Sequence, residues 1–350
     1  MNHRSTTADF ESTVRAALGR RDLAAARQAV EAVLAREPRN VLALLLKGDV
    51  LLAEGDAAAA AAFYEAAIVA VPEGAVVPHA LRRELERAET ERARLVAQLA
   101  QDFRRSIGPP SSPRFAQALD ILLGERQFYP SQPRHFHFPE LPTIQFHDRS
   151  AFPWLDAIEA ATDDIRAEML AVLDAGDLVP YVQSDPRRPA QRGGLVDNPQ
   201  WSAFFLWQHG QVVARNAERC PRTMAALAHA PLTQMPGRSP AALFSVLRPG
   251  TRIPPHHGFV NTRLIVHLPL VVPQGCALRV GNEVREWVEG RAWLFDDTIE
   301  HEAWNPTDRT RVILLFEVWR PELSAAERAQ VSAMFEAVDR QRGAPGEWSI

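Results

Sequence analysis

The hydrophobic and polar positions form two patterns that change near residue 108. From about residue 8 to 106 the chain is rich in Ala, Leu, Arg and Glu and has no Trp, which is typical of helices. Two further helices are expected near 114–126 and 153–174. Beyond about residue 200, short β-branched and apolar runs such as 263–268 and 311–319 indicate strands. The pattern predicts a helical half followed by a β-rich half.

Turn residues divide the β-rich half into strands that can pair with their sequence neighbours. Residues 277–280 and 283–287 flank Gly281-Asn282, which is typical of a two-residue hairpin. Several short strands at close spacing, with no long helix between them, favour an antiparallel sandwich or jelly roll. The expected fold class is therefore α+β with more than one domain.

The helical half contains a repeat with a period of about 34 residues. Corresponding positions in its two copies hold Ala26 and Ala60, Val30 and Tyr64, Val33 and Ala67, and Pro38 and Pro72. These positions, with Gly48 in the second copy, resemble the tetratricopeptide repeat, in which small residues let two antiparallel helices approach closely. We expect about two repeats and a capping helix near 78–104; a generic alanine-rich bundle is the alternative.

The run Gly-Pro-Pro-Ser-Ser-Pro at 108–113 breaks the helical pattern and is expected to be a linker. We therefore predict a helical repeat domain over 1–107 and a second domain over 114–350.

Composition and charge exclude several classes of protein. The 350 residues include 39 basic and 43 acidic side chains without a basic stripe, so no nucleic-acid partner is expected. Two cysteines, Cys220 and Cys276, are too few for a disulfide framework, and a cytoplasmic location is expected. The chain has no apolar run long enough to span a membrane and no apolar signal core near its start.

Two histidines and one arginine carry the candidate chemistry. His256 is expected in a loop before the strand that begins near Arg263, and His301 at the end of a strand that begins near residue 291. Imidazoles at two strand edges of one β domain can converge on a metal ion. Arg311 follows on the next strand, where a guanidinium can bind a carboxylate through two parallel hydrogen bonds. This combination is typical of iron(II) and 2-oxoglutarate dependent oxygenases.

From about residue 130 to 325 the chain resembles the aspartyl/asparaginyl β-hydroxylases. The matching segments are Trp201-Ser202-x-Phe204, Cys220-Pro221-x-Thr223, Phe244-Ser245-Val246-Leu247-x-Pro249-Gly250-Thr251, His256-x-Gly258-x-x-Asn261, His267-Leu268-x-Leu270, Trp287-x-Glu289-Gly290, Phe295-Asp296-Asp297-x-x-Glu300-His301-Glu302, Arg311 and Val318-Trp319-x-Pro321-Glu322-Leu323. The resemblance implies a double-stranded β-helix, often preceded by tetratricopeptide repeats.

The resemblance also implies Fe(II), 2-oxoglutarate and O₂ as cofactor and cosubstrates. His256 and His301 would be the iron ligands, and Gly258 stands where most 2-oxoglutarate oxygenases place a ligating aspartate. Two questions remain open: whether His257 replaces His256, and whether Asp296 and Asp297 supply a third ligand or orient the imidazole of His301. The other histidines are expected to be surface or loop residues: His135, His137, His147, His209 and His229.

The cosubstrate would lie beside the iron. Arg311 and Ser245 would bind the distal carboxylate of 2-oxoglutarate, and His267 and Trp201 would line the same pocket. The alternative for Arg311 is a structural ion pair with a carboxylate.

The implied reaction is hydroxylation of the β-carbon of an aspartyl or asparaginyl residue, in a peptide or protein that the helical repeats could dock. One position departs from the family pattern Arg-x-Arg-x-His, because the chain reads Arg263-Leu264-Ile265-Val266-His267. Strand alternation places residues 263, 265 and 267 on one face, so Ile265 removes a basic group and leaves Arg263 as the candidate substrate contact. A hydroxylase of a small molecule or lipid acyl chain and a non-catalytic cupin-like binding protein are the alternatives.

Overall fold

The computed structural model describes residues 3–184 and 194–342, and the chain divides into the compact units Met1–Glu125 and Arg126–Ile350. The division lies beyond the expected linker at 108–113, which forms a turn inside the N-terminal unit. Ser112 accepts a hydrogen bond from the backbone N–H of Phe115 and so caps the next helix. Arg104 pairs with Asp120 at 2.8 Å, which ties that helix to the preceding one. The boundary therefore differs from the predicted one.

The described part of the N-terminal unit consists of helices. These are α1 to α6, spanning His3–Gly19, Leu23–Leu34, Val41–Glu54, Ala57–Val69, His79–Ile107 and Pro113–Leu122. Asp22, Asn40 and Asp56 cap α2, α3 and α4 through their side-chain oxygens, so each helix begins where the sequence supplies a capping residue. The predicted capping helix corresponds to α5.

Helices α3 and α4 pack closely because Gly48 lies against the ring of Tyr64. A Cβ added to Gly48 would stand 2.6 Å from Cδ1 of that ring. The hydroxyl of Tyr64 donates a 2.7 Å hydrogen bond to Asp49, which fixes the ring across the helix pair. The small residue predicted from the repeat therefore allows the two helices to approach.

The C-terminal unit combines strands with five α-helices in its described part. Strands β1 to β11 span Val179–Pro180, Trp201–Gln208, Gln211–Val212, Ala242–Leu247, Thr251–His256, Arg263–Val271, Ala277–Val280, Glu283–Glu286, Trp293–Phe295, His301–Asn305 and Arg311–Trp319. Helices α7 to α11 span Leu155–Ala160, Thr162–Ala175, Ala214–Ala217, Pro221–Leu227 and Ala325–Arg342, and a 3₁₀ turn covers Arg149–Ala151. The single helix expected near 153–174 is thus two helices.

The strands form two antiparallel sheets. The larger sheet has the order β1-β2-β4-β11-β6-β9, with β3 beside β2, and the smaller has the order β5-β10-β7-β8. From β4 onward the chain alternates between the sheets, apart from the predicted hairpin of β7 and β8. This is a double-stranded β-helix, which confirms the predicted α+β fold class.

Strand alternation gives the large sheet two buried faces. In β11, Val312, Leu314, Phe316 and Val318 pack toward helices α7, α8 and α10. The intervening Ile313 and Leu315 face the small sheet. Strands covered on both faces read as continuous apolar runs. Any polar side chain on the inner face is consequently enclosed between the sheets.

Among the described residues, no helix is both long and apolar enough to cross a membrane.

Candidate functional site

A cavity of about 190 Å³ lies between the two sheets and opens beside the ends of β5 and β10. The side chains from the large sheet that line it include Trp201, Ser245, Arg263, Ile265, His267, Arg311 and Glu317, and those from the small sheet and adjoining loops include Ile253, His256, Leu278, Asp297, His301 and Ala303. The fold therefore brings every predicted site residue to one cavity.

The two candidate metal ligands meet across neighbouring strands. His256 ends β5 and His301 begins β10, and the two are register partners. Their ring centroids are 4.1 Å apart. Both predicted locations were wrong in detail, because His256 belongs to a strand rather than a loop and His301 begins its strand instead of ending one. The antiparallel pairing of β5 and β10 is what places the rings together.

Each imidazole contacts the backbone carbonyl of the residue two positions before it in the sequence. Nδ1 of His256 lies 2.8 Å from the carbonyl oxygen of Pro254, and Nδ1 of His301 lies 3.0 Å from that of Ile299. With Nδ1 as the donor, Nε2 keeps its lone pair for a metal ion. Burial lowers the pKa of both histidines, which favours the neutral, metal-binding form.

Asp297 occupies the space beside Gly258. A Cβ at Gly258 would overlap the carboxylate of Asp297, and the backbone N–H of Gly258 donates to the Asp297 carbonyl at 2.6 Å. Burial, opposed by Arg263, raises the pKa of Asp297 to about 7, and its Oδ1 has no hydrogen-bond partner within residues 3–184 and 194–342. Glycine at position 258 thus makes room for a carboxylate from another loop.

The adjacent Asp296 has a different role. It accepts 2.9 Å hydrogen bonds from the Thr298 N–H and from Arg320. Nδ1 of His301 contacts the carbonyl oxygen of Ile299 rather than either aspartate. Across the described ranges, no group of three or more His, Cys, Asp and Glu side chains is arranged to hold a metal ion.

Arg311 is enclosed at the inner end of the cavity with only 1% of its surface exposed. Its Nη1 lies 3.4 Å from both the carbonyl oxygen and the hydroxyl of Ser245, and Trp201 donates to that hydroxyl at 3.1 Å. No carboxylate of the described chain forms an ion pair with Arg311, and its Nε has no hydrogen-bond partner there. Burial lowers the pKa of Arg311 to about 10. This is a buried cation without an anion.

Two aromatic neighbours complete the surroundings of Arg311. The ring of Trp287 lies 4.9 Å from its guanidinium carbon. His267 lies between Trp287 and Phe295, at centroid distances of 6.0 and 4.9 Å. Burial, reinforced by the charge of Arg311, lowers the pKa of His267 well below its ordinary value. The alternation of hydrophobic positions in the sequence does not indicate that Trp287 contacts Arg311.

Two sequence profiles match this chain. A sequence profile described as aspartyl/asparaginyl beta-hydroxylase matches residues 159–321. The match identifies residues 159–321 as a β-hydroxylase domain of this kind. A tetratricopeptide repeat profile matches residues 13–75, which confirms the repeats of the helical unit.

Relatives of the β-hydroxylase domain carry two kinds of name. An ornithine lipid ester-linked acyl 2-hydroxylase of Rhizobium tropici is 38% identical over 54% of this chain and 65% of its own length. The human aspartyl/asparaginyl beta-hydroxylase is 37% identical over 49% of this chain and 21% of its own length. The chain thus spans less than two thirds of either relative. A cupin 2 conserved barrel protein of Salinispora arenicola shares 16% identity over 43% of this chain and 98% of its own, with a TM-score of 0.24.

Arg263 of the β-hydroxylase domain is paired with carboxylates. Its Nη2 lies 3.1 Å from Asp297, and its Nη1 forms an ion pair with Glu317. Ile265 lies on the same face, directly between Phe295 of β9 and Glu317 of β11 in the strand register. The predicted substrate contact is therefore engaged by two acidic side chains.

Two of the histidines expected to be surface or loop residues do lie in loops, and both are only partly exposed. His147 is largely buried against Phe152, and its Nε2 has no partner in the described chain. His209 lines the cavity.

Proposed function

We propose that the protein is an Fe(II)- and 2-oxoglutarate-dependent dioxygenase that hydroxylates an unactivated C–H bond. The observation that carries this proposal is the buried Arg311, whose charge has no carboxylate partner in the described chain and which lines the same cavity as the paired histidines. A buried guanidinium without an anion is costly, so the cavity favours an anionic ligand.

The histidine pair fits a divalent transition metal. Its Nδ1 atoms are committed to carbonyl oxygens, so His256 and His301 would bind the metal through Nε2. Imidazole is a suitable ligand for iron. When bound, iron(II) would supply the activation of O₂ that C–H hydroxylation requires.

The inner end of the cavity fits a dicarboxylate cosubstrate. Arg311 would bind its distal carboxylate through charge-assisted hydrogen bonds, and Ser245 would contribute its hydroxyl. Trp201 orients that hydroxyl, while His267 closes the side of the pocket. Enclosure between the sheets would exclude water and strengthen these interactions.

Two substrate classes are candidates. The family name suggests the β-carbon of an aspartyl or asparaginyl residue, with the tetratricopeptide repeats docking the polypeptide. The Rhizobium relative, named as an acyl 2-hydroxylase, suggests a lipid acyl chain. The second class is favoured by Ile265, which places an apolar side chain in the cavity where the family pattern has a basic one.

Succinate release from 2-oxoglutarate tests the proposal without any prime substrate. The purified full chain is assayed with and without Fe(II), and anaerobic Fe(II) binding is measured in parallel. We expect iron-dependent succinate formation that His256→Ala abolishes together with iron binding.

Two histidine variants make this experiment specific. His257→Ala should retain iron binding, since the paired rings are those of His256 and His301. His229→Ala, at an exposed position, controls for the loss of a histidine. Full turnover in His256→Ala would overturn the metal assignment. Failure of the wild type to bind Fe(II) or 2-oxoglutarate would favour a non-catalytic cupin-like binding protein.

A further inference from the structure

The cavity contains more than one arginine, and their pairing restricts what can enter it. Three arginines line the cavity: Arg238, Arg263 and Arg311. Arg238 forms an ion pair with Asp339 of α11, including a 3.1 Å hydrogen bond from its Nε. Arg263 is paired with Asp297 and Glu317. Among these three, Arg311 alone forms no ion pair with a carboxylate of the described chain.

The part of the cavity away from Arg311 is apolar, apart from Arg263 and the two carboxylates paired with it. Glu317 is only 4% exposed and stands beside Ile265 in the strand register. Oδ1 of Asp297 lines this region without a hydrogen-bond donor from the described residues. A substrate carboxylate placed near Ile265 would lose its water and meet Glu317 and Asp297 without an unpaired cation beside it, because Arg263 is already paired with both.

Apart from His256 and His301, which would hold the metal ion, the strands of the facing small sheet contribute no charged side chain to the described lining of the cavity. The small-sheet side chains opposite Ile265 are apolar and include Ile253, Leu278 and Ala303. Arg252 pairs with Glu302 and is 64% exposed in its side chain. It is absent from the lining of the cavity.

We propose that the part of the prime substrate that enters this cavity is an uncharged alkyl segment, and that Ile265, Glu317 and Asp297 exclude carboxylates there. The proposal rests on the proposed function in assigning Arg311 to the cosubstrate. The expected substrate class is a methylene chain next to an uncharged group such as an ester or amide. An aspartyl side chain, with its carboxylate one carbon from the reacting position, is excluded.

A pair of probes that differ in charge tests this inference. Binding of octanamide and of octanoate to the full chain is measured anaerobically with Fe(II) and saturating 2-oxoglutarate, so that Arg311 is occupied. We expect octanamide to bind at least about tenfold more tightly than octanoate, since an unpaired carboxylate is costly to bury. Equal binding, tighter binding of octanoate or binding of neither would overturn the inference.

Substitutions at Ile265 locate the discrimination. Ile265→Arg should reverse or abolish the preference, whereas Ile265→Met, an uncharged side chain of similar reach, should keep it. Stabilisation of each variant by 2-oxoglutarate shows that its cavity is intact. If Ile265→Arg does not fold, the comparison of octanamide with octanoate binding to the wild type alone tests the inference. A preference unchanged in a folded Ile265→Arg would contradict the assignment of Ile265.

An activity measurement separates this inference from the proposed function. Iron-dependent succinate release without any probe tests the oxygenase alone. If that release occurs and an aspartyl peptide increases it several-fold in the wild type, the substrate inference fails while the oxygenase remains.

Discussion

Replacement of Arg311 by Met should make the ligand-free protein more stable. Burial lowers the pKa of Arg311 from its ordinary value to about 10, and at about 1.4 kcal/mol per pKa unit the buried charge costs the folded state roughly 3 kcal/mol. Arginine is protonated in both folded and unfolded chains at pH 7. The full cost therefore applies there and declines only as the pH rises through 10.

The net gain is smaller than the charge alone suggests. Met fills a similar length, but the variant loses the 3.4 Å contacts with Ser245 and the packing on Trp287, together worth about 1 kcal/mol. A net stabilisation of about 2 kcal/mol corresponds to a rise in Tm of roughly 4–8 °C for a unit of this size.

Thermal unfolding with and without 2-oxoglutarate measures both consequences. At about 100 times its Kd, the cosubstrate should stabilise the wild type by about 2.7 kcal/mol and Arg311→Met by almost nothing. Arg320→Met is the matched control, because Arg320 is equally buried but pairs with Asp296 at 2.9 Å. Loss of that partner should destabilise the protein by about 3–5 kcal/mol.

The reasoning is refuted if Arg311→Met unfolds at a lower temperature, as Arg320→Met should, and is still stabilised by 2-oxoglutarate. Arg311 would then be a structural arginine, the alternative that the sequence left open.

Gly48→Ala tests helix packing in the N-terminal unit, and His147→Phe tests the pH dependence of stability in the C-terminal unit. Gly48→Ala should destabilise the helical unit by about 1–3 kcal/mol, because its Cβ would stand 2.6 Å from Cδ1 of Tyr64. Gly19→Ala is the control, since a Cβ at Gly19 would have nothing within 4 Å. Equal Tm values for the two variants would contradict the close approach of α3 and α4. Burial lowers the pKa of His147 to about 4, so the unfolded chain takes up its proton first as the pH falls below 6.5, and folding stability declines by up to about 3 kcal/mol toward pH 4. His147→Phe should flatten that part of the profile of unfolding free energy against pH, and an unchanged slope would show that another group is responsible.

Local sequence signals predicted the elements better than their exact ends. Gly281-Asn282 specified the hairpin in which Val280 pairs with Glu283. The sequence predicted one helix near 153–174, whereas the structure has two. Thr162 begins the second helix, and its hydroxyl donates to the Glu159 carbonyl at 2.6 Å. The hydrophobic periodicity does not distinguish this break from a continuous helix.

The fold brings the residues selected from the sequence to one cavity, but their ion-pair partners could not be selected in the same way. His256 on β5, His301 on β10 and Arg311 on β11 all line one cavity. The pairing of Arg263 with Glu317 joins residues far apart in the chain, so no local pattern could indicate it. Whether an arginine in an apolar strand is paired depends on the tertiary fold, and that determines which of these arginines is available to a ligand.

Because backbone carbonyls contact the two histidines, the orientation of these imidazoles does not depend on the residue that would select the substrate. Each imidazole is positioned by its own backbone, through Pro254 or Ile299 on the small-sheet side. Ile265 belongs to the opposite sheet. A mutation on that wall can change the polarity of the cavity without changing the tautomer of either histidine. This architecture makes new specificities accessible in single evolutionary steps, because a lineage can alter the substrate wall while the two imidazoles keep their orientation.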